Sequence, residues 1–150
     1  MRTLIICMSL LIALSFSACE QEQAPKKVNA AFNQKFPNAE EVDWDMEENN
    51  EWEAEFEVDE KEMSATFGQN GKWLETETEI EESQLPEAVT LSLKNNFKGY
   101  ETEEAEYLES PEYKGYELEL EGKDGDITVL IGMDGKILKQ ASEEENEDKD

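Results

Sequence analysis

The sequence predicts an α+β fold: two tandem helix-plus-antiparallel-strands repeats, forming one sheet of about eight strands with both helices on one face. Three observations lead there. Trp52, Ala54, Phe56 and Val58 alternate without a break with Glu51, Glu53, Glu55 and Glu57, the period of a strand with one buried side. Val28, Phe32 and Phe36, and again Leu85, Val89, Leu93 and Phe97, fall four apart, the period of a helix with one apolar stripe. The segment FGQNGKWLE at 67–75 returns as IGMDGKILK at 131–139, 64 residues later.

Each element has a local reason. The first helix starts near Val28 and stops at Pro37, whose ring removes a backbone donor and clashes with the preceding turn. Val42, Trp44 and Met46 then alternate with acids, and the 51–58 run follows. A turn near Asp59-Glu60-Lys61 leads to Met63, Ala65 and Phe67, and Asn70-Gly71, a strong tight-turn pair, leads to Trp73. In the second unit Pro86 suits the first turn of a helix and Gly99 the position just past its end. Tyr107, then Tyr116, Leu118 and Leu120, then Ile127, Val129 and Ile131 mark strands, with Asp134-Gly135 as the turn before Ile137. The offset of 64 also superposes residues 51–56 on 115–120, but over the helices it is 61, where Phe32 and Phe36 meet Leu93 and Phe97. A three-residue insertion near Ser110-Pro111-Glu112 accounts for the difference. A unit of about 50 residues buries too little surface to stand alone, so the two are expected to share a sheet.

Ahead of the domain, Met1-Arg2 and the uncharged run from Leu4 to Phe16 read as a signal peptide, shorter than the roughly 20 residues that span a bilayer. Ser17-Ala18-Cys19 resembles a lipobox, so residues 1–18 would be removed and Cys19 would carry a lipid anchor. Cys7 lies in the leader, which leaves Cys19 without an intrachain disulfide partner in the mature chain. Residues 19–27 are expected to be a polar tether and 28–140 the folded domain, with repeat 1 about 28–80 and repeat 2 about 85–140. Residues 141–150 are expected to be a disordered acidic tail. The address this implies is the cell envelope: secreted across the inner membrane, lipid-anchored at the outer membrane on its periplasmic or surface side, and touching the membrane through the lipid alone.

The formal net charge is −26 and the chain has no histidine. Such a surface repels phosphates and speaks against nucleic acid. Cys- or His-based zinc sites have no ligands here, no glycine-rich loop cradles a phosphate, and Ser64, Ser83, Ser92, Ser110 and Ser142 lack an activating motif. Carboxylate pairs alone can hydrolyse glycosides, but one acid must sit in a cleft that raises its pKa. No cofactor and no metal site are expected, and the chain is not expected to be an enzyme.

The constellation that remains is acidic. If Trp52, Ala54, Phe56 and Val58 face the helices, then Glu51, Glu53, Glu55 and Glu57 face away, as do Glu117, Glu119 and Glu121 in the second unit. One register would set Glu57 and Glu55 opposite Ser64 and Thr66. Such a face is either a solvated, solubilising surface or a docking face for a cationic partner: a basic protein or peptide of the envelope, or, weakly, divalent cations. Calcium needs six to eight oxygens from a defined loop; Asp124-Gly125-Asp126 supplies only part of one and reads better as a turn. Trp44, Trp52 and Trp73 suit core packing, and Trp73, just past a turn, is the candidate for an exposed aromatic.

The order of motifs resembles a known family. The chain has Phe36-Pro37-Asn38-Ala39 at a helix end, then Val42-Asp43-Trp44, then the alternating Trp52-Glu53-Ala54-Glu55-Phe56. Ala65-Thr66-Phe67, Asn70-Gly71-Lys72-Trp73 and Thr76-Glu77 follow, and Leu85-Pro86 opens the second unit. This is similar to the PepSY-like, beta-lactamase-inhibitor-like lipoproteins of Bacteroidetes-type bacteria. The resemblance implies a tandem α+β repeat and a non-catalytic module that binds through a sheet face, with inhibition of an envelope enzyme as one form of that binding. It assigns no inhibitory residue. Divalent-cation buffering without a protein partner is the alternative.

Overall fold

The computed structural model describes residues 23–47, 49–123 and 125–142. The leader, Cys19 and the tail from residue 143 lie outside them. Helix α1 (Lys26–Lys35) is followed by β1 (Glu40–Met46), β2 (Glu51–Val58), β3 (Lys61–Gly68) and β4 (Trp73–Glu79). A short 3-10 turn (Glu82–Gln84) leads into α2 (Glu87–Asn96), then β5 (Tyr100–Glu109), β6 (Lys114–Gly122), β7 (Ile127–Gly132) and β8 (Ile137–Ser142). The eight strands pair antiparallel in chain order and form one sheet. The α+β class and the strand count match the sequence reading.

Two boundaries differ from it. Helix α1 starts inside the expected tether, because Pro25 presets the backbone for the first turn and Ala24 is already buried. Strand β8 runs to Ser142, two residues into the expected tail, where Ser142 pairs with Ile127 and Ala141 with Thr128. One register also shifts. The β2–β3 turn closes on Asp59 and Glu60 alone, both left-handed at φ 53° and 63°, so Val58 pairs with Lys61. Ser64 and Thr66 therefore face Glu55 and Glu53, not Glu57 and Glu55.

Directly paired residues share a side of the sheet. The register thus joins Trp52, Ala54 and Phe56 of β2 to Ala65 and Phe67 of β3, and Tyr116, Leu118 and Leu120 of β6 to Val129 and Ile131 of β7. These residues fill two buried clusters. Val28 and Phe32 of α1 pack with the β2–β3 set, and Leu85, Val89 and Phe97, flanking or within α2, pack with the β6–β7 set. Between the clusters, β4 offers Thr76 and Thr78 rather than large apolar groups, and β4 pairs with β5 over only four residue pairs. Thr76 is buried, and its Oγ1 accepts the Trp73 indole N–H at 2.9 Å.

Glycines set the distance from helix to sheet. Gly71, at φ +78°, ends the β3–β4 turn, and a Cβ there would lie 2.8 Å from the Lys27 carbonyl oxygen of α1. Gly135, at φ +81°, ends the β7–β8 turn 64 residues on, and a Cβ there would lie 2.4 Å from the Ala88 carbonyl oxygen of α2. Lys27 and Ala88 are 61 residues apart. The turns share their internal bonds: the Asn70 and Asp134 side chains accept the backbone N–H groups of Lys72 and Lys136. Bulges recur in step, at Glu41-Val42 and near Glu103, and at Leu74 and Leu138.

Gly135→Ala is expected to cost about 2 kcal/mol or more, combining left-handed strain with a clash against helix backbone. Gly99→Ala is the control: Gly99 also has φ +92° but open space around it, so only the strain of about 1 kcal/mol should appear. Urea unfolding of both variants checks the difference.

Candidate binding face

The opposite side of the sheet is a layer of carboxylates. The register places Glu51, Glu53, Glu55 and Glu57 of β2 there, with Glu117, Glu119 and Glu121 of β6. Glu55, Glu119 and Glu121 are exposed, whereas Glu51, Glu53, Glu57 and Glu117 are half-buried by their neighbours. The middle of the layer comes from residues that the sequence reading did not single out. Glu75, Glu77 and Glu79 of β4 and Glu104 and Glu106 of β5 lie between the two predicted sets. Glu79, Glu106 and Glu117 form a row across three adjacent strands, each directly opposite the next, and Glu104 lies opposite Glu119. Among the described strand pairs, Lys139 of β8 is the basic residue on this side, opposite Leu130.

Two leucines explain why the centre is dry. Leu108 and Leu130 point to the carboxylate side yet are only 2% and 7% exposed. Leu108 is flanked by Glu77 and by Gly115, where a Cβ would lie 2.6 Å from the Ile131 carbonyl oxygen. Leu130 lies between Glu117 and Lys139. Carboxylates beside this apolar island lose water, and burial favours their neutral form.

The titration shifts follow that geometry. Burial, reinforced by Glu117 and Glu75, pushes Glu77 up to about 7, although the Ser64 hydroxyl donates to its Oε2 at 3.2 Å. Burial, reinforced by Glu77 and Glu104, pushes Glu106 up to about 8. Burial also raises Glu53, Glu75 and Glu117 above the usual carboxylate range. A hydrogen bond shared with Glu62 is the main reason Glu79 is raised. The Tyr113 phenol, on the β5–β6 turn where the insertion falls, is raised by burial and then by Glu75 and Glu117.

Lys139 lowers both Glu75 and Glu117. Near the β2–β3 turn the carboxylate side holds a groove of about 410 Å³ lined by Asp43, Glu55, Glu57, Glu62, Glu79, Glu104, Glu106 and the Ser64 hydroxyl, among others. Among the described residues, no three carboxylates are arranged to hold a metal ion. Asp126 accepts the Gly122 backbone N–H at 3.1 Å, and Asp124 lies outside the described residues. Trp73 is half-buried against the α1 cluster, with the Lys35 amine 3.6 Å from the centroid of its ring system.

Comparison with known proteins agrees with this architecture. The family described as "Putative beta-lactamase-inhibitor-like, PepSY-like" matches residues 50–139, more than half of the chain. The chain belongs to this family. That description names an inhibitor-like family and no catalytic activity. No curated protein matches the chain at a significant level. Among solved structures, a BLIP-like protein from Bacteroides fragilis is similar, at TM-score 0.72 and 20% identity over 83% of this chain and 89% of that one. A DUF2874 family protein from Bacteroides uniformis has TM-score 0.74 and 18% identity, covering 80% and 90% of the two chains. A protein from Bacteroides eggerthii described as periplasmic has TM-score 0.73 and 17% identity, covering 81% and 90%. These likenesses concern the fold. No helix among the described residues is long and apolar enough to cross a membrane.

The raised carboxylates make stability depend on pH. The folded chain holds protons on Glu77 and Glu106 that an unfolded chain, with carboxylates near 4.5, releases. Their contribution is complete below about 4.5 and is lost as pH rises through 7 and 8. Both groups are half in water, which holds the effect to about 1 kcal/mol, or ~4 °C in Tm. Thermal unfolding at pH 5 and pH 9 should show the lower Tm at pH 9, and Glu106→Gln should shrink the gap by raising the pH 9 value.

Proposed function

We propose that the chain is a cell-envelope lipoprotein that acts as a non-catalytic binding module and captures a cationic partner on its carboxylate face. In this reading the chain is a tandem repeat whose two units lay their helices on the same side of one shared sheet. Support for the repeat comes from the matched glycine contacts to α1 and α2, the matched turn bonds and the matched bulges, all at the offsets of 64 and 61 seen in the sequence. Support for the shared side comes from the register, which links the residues under α1 to those under α2 through continuous pairing.

The observation that carries the binding reading is the in-register row Glu79–Glu106–Glu117, flanked by Glu104 and Glu119. Carboxylates directly opposite each other on neighbouring strands destabilise a sheet when both are charged. Here burial and crowding hold a proton on Glu106 instead, and a solubilising surface gains nothing from a glutamate kept neutral. A basic protein or peptide laid across the row would supply the countercharge that lets Glu106 ionise. Inhibition of an envelope enzyme is one form such capture would take. Divalent-cation binding without a protein partner is the competing reading, and calorimetry distinguishes it: saturable uptake of several calcium or magnesium ions, with no protein captured, would favour it.

Charge reversal of Glu53, Glu55, Glu117 and Glu119 to lysine is expected to abolish capture of the partner from envelope extract while the far-UV spectrum stays unchanged. Undiminished capture would move the site off this face. In the anchoring part of the reading, Cys19 carries the lipid after removal of residues 1–18. Cys19→Ala should then move the protein from the membrane pellet to the soluble fraction and end incorporation of labelled fatty acid.

A further inference from the structure

Away from the carboxylate side, a cleft of about 460 Å³ opens between α2 and the strands beneath it. Its apolar walls are Leu93, Phe97, Leu120 and Tyr100, and Glu82, Glu101 and Lys94 stand among its polar lining. That volume falls within the usual range of small-molecule pockets.

The cleft has a cause in the sequence. In the first half the matching space is packed with rings: Phe32 lies 4.9 Å from Phe56 and 5.2 Å from Trp44, and Phe36 lies 4.6 Å from Phe56 between centroids. At the offsets of 61 and 64, Phe32 becomes Leu93, Trp44 becomes Ala105 and Phe56 becomes Leu120, while Phe36 becomes Phe97. Of the three replacements, Leu93 and Leu120 line the cleft where Phe32 and Phe56 fill the first half, whereas Ala105 does not. Volume is regained away from the cleft where Ala54 becomes Leu118 and Ala65 becomes Val129, and within it where Ala39 becomes Tyr100, whose ring forms one wall.

The walls are also fixed in place. The Tyr100 ring lies against Gly122, where a Cβ would come within 2.4 Å of it, and Phe97 meets Tyr100 edge-on at 6.5 Å. The field at the mouth favours a cation. Glu82 stands there with Lys94, while Glu101, paired with Glu121 and so directed to the carboxylate side, borders the cleft and adds to the field of a chain of net charge −26. The first half supplies its own ammonium to the corresponding ring, since the Lys35 amine lies 5.5 Å from the Phe36 centroid. The counterpart of Lys35 is Asn96, whose side chain instead donates to the Ser92 carbonyl at 2.8 Å.

We propose that this cleft binds a small organic ammonium ion, its aromatic or branched aliphatic body against Leu93 and Leu120 and its charged head at Glu82 beside the Phe97 and Tyr100 rings. The matching of positions rests on the tandem-repeat reading; the cleft itself does not, and neither depends on the carboxylate face. The head group would gain from the rings through cation–π attraction as well as from the Glu82 carboxylate.

The test is an NMR titration of the full mature chain with 2-phenylethylamine, and with 3-phenylpropionate as a probe of like body and opposite charge. The expected result is saturable shifts confined to the end of α2 and the start of β5, with the carboxylate at least tenfold weaker. Equal binding of the two probes overturns the ligand class. No saturable shift, or shifts confined to the carboxylate side of the sheet, overturns the site. Leu93→Phe restores the first-half residue and should raise Tm while weakening the amine at least tenfold. Leu120→Phe should do the same, and covers the case where the first variant packs badly. If both variants bind the amine as the parent does, the cleft is not the site. If both lower Tm without binding changes, the matching of the halves fails as well.

Discussion

The two-residue parity of an antiparallel sheet governs this molecule. Every strand must send alternate residues to opposite sides, and seven consecutive pairings lock those alternations together. Once Trp52, Ala54 and Phe56 are committed to the buried side, Glu53 and Glu55 have only the other side to occupy. The same holds for Tyr116, Leu118 and Leu120 against Glu117 and Glu119. A slip of one residue anywhere would bring carboxylates under a helix and rings into water. Apolar burial at about 25 cal/mol per Å² therefore fixes the register, and the carboxylate layer follows from it.

Much of this was legible from local pattern. The period-two run at 51–58, the period-four stripes and the Asn70-Gly71 and Asp134-Gly135 turns each report on a few neighbouring residues, and each lies where its pattern indicated. The centre of the carboxylate layer was harder to read. Strand β4 runs WLETETE, with threonine or glutamate on both sides over most of its length, so no apolar alternation announces its parity. Its role depends on β5 lying beside it, a non-local fact. The Glu-Thr-Glu-Thr-Glu alternation at 75–79, placed against Ala105 and Tyr107, is the signal that would have assigned Glu77 and Glu106 to the same side. The register at Ser64 shifted for a related reason. Asp59 and Glu60 carry no glycine, so a two-residue turn with both residues left-handed was the less obvious reading.

Geometry also changes what the acidic composition means. A uniformly solvated set of glutamates would splay apart and titrate ordinarily. Here Leu108 and Leu130 remove water from the middle, and the strand spacing holds Glu79, Glu106 and Glu117 in one row. The resulting layer is graded: exposed carboxylates such as Glu55 and Glu121 toward its flanks, and protonated ones at the join between β4 and β5. In the proposed function, such a surface would accept a positive partner at its centre by releasing protons rather than by shedding counterions. Its affinity would then depend on pH as well as on salt.

Site-resolved carboxyl NMR titration of Glu77 and Glu106 tests this account most directly. Half-protonation near pH 7 and pH 8 would place both groups in a crowded, partly dry layer. Titration of both near 4.5, the value of a freely solvated carboxylate, would contradict it and return these glutamates to open water.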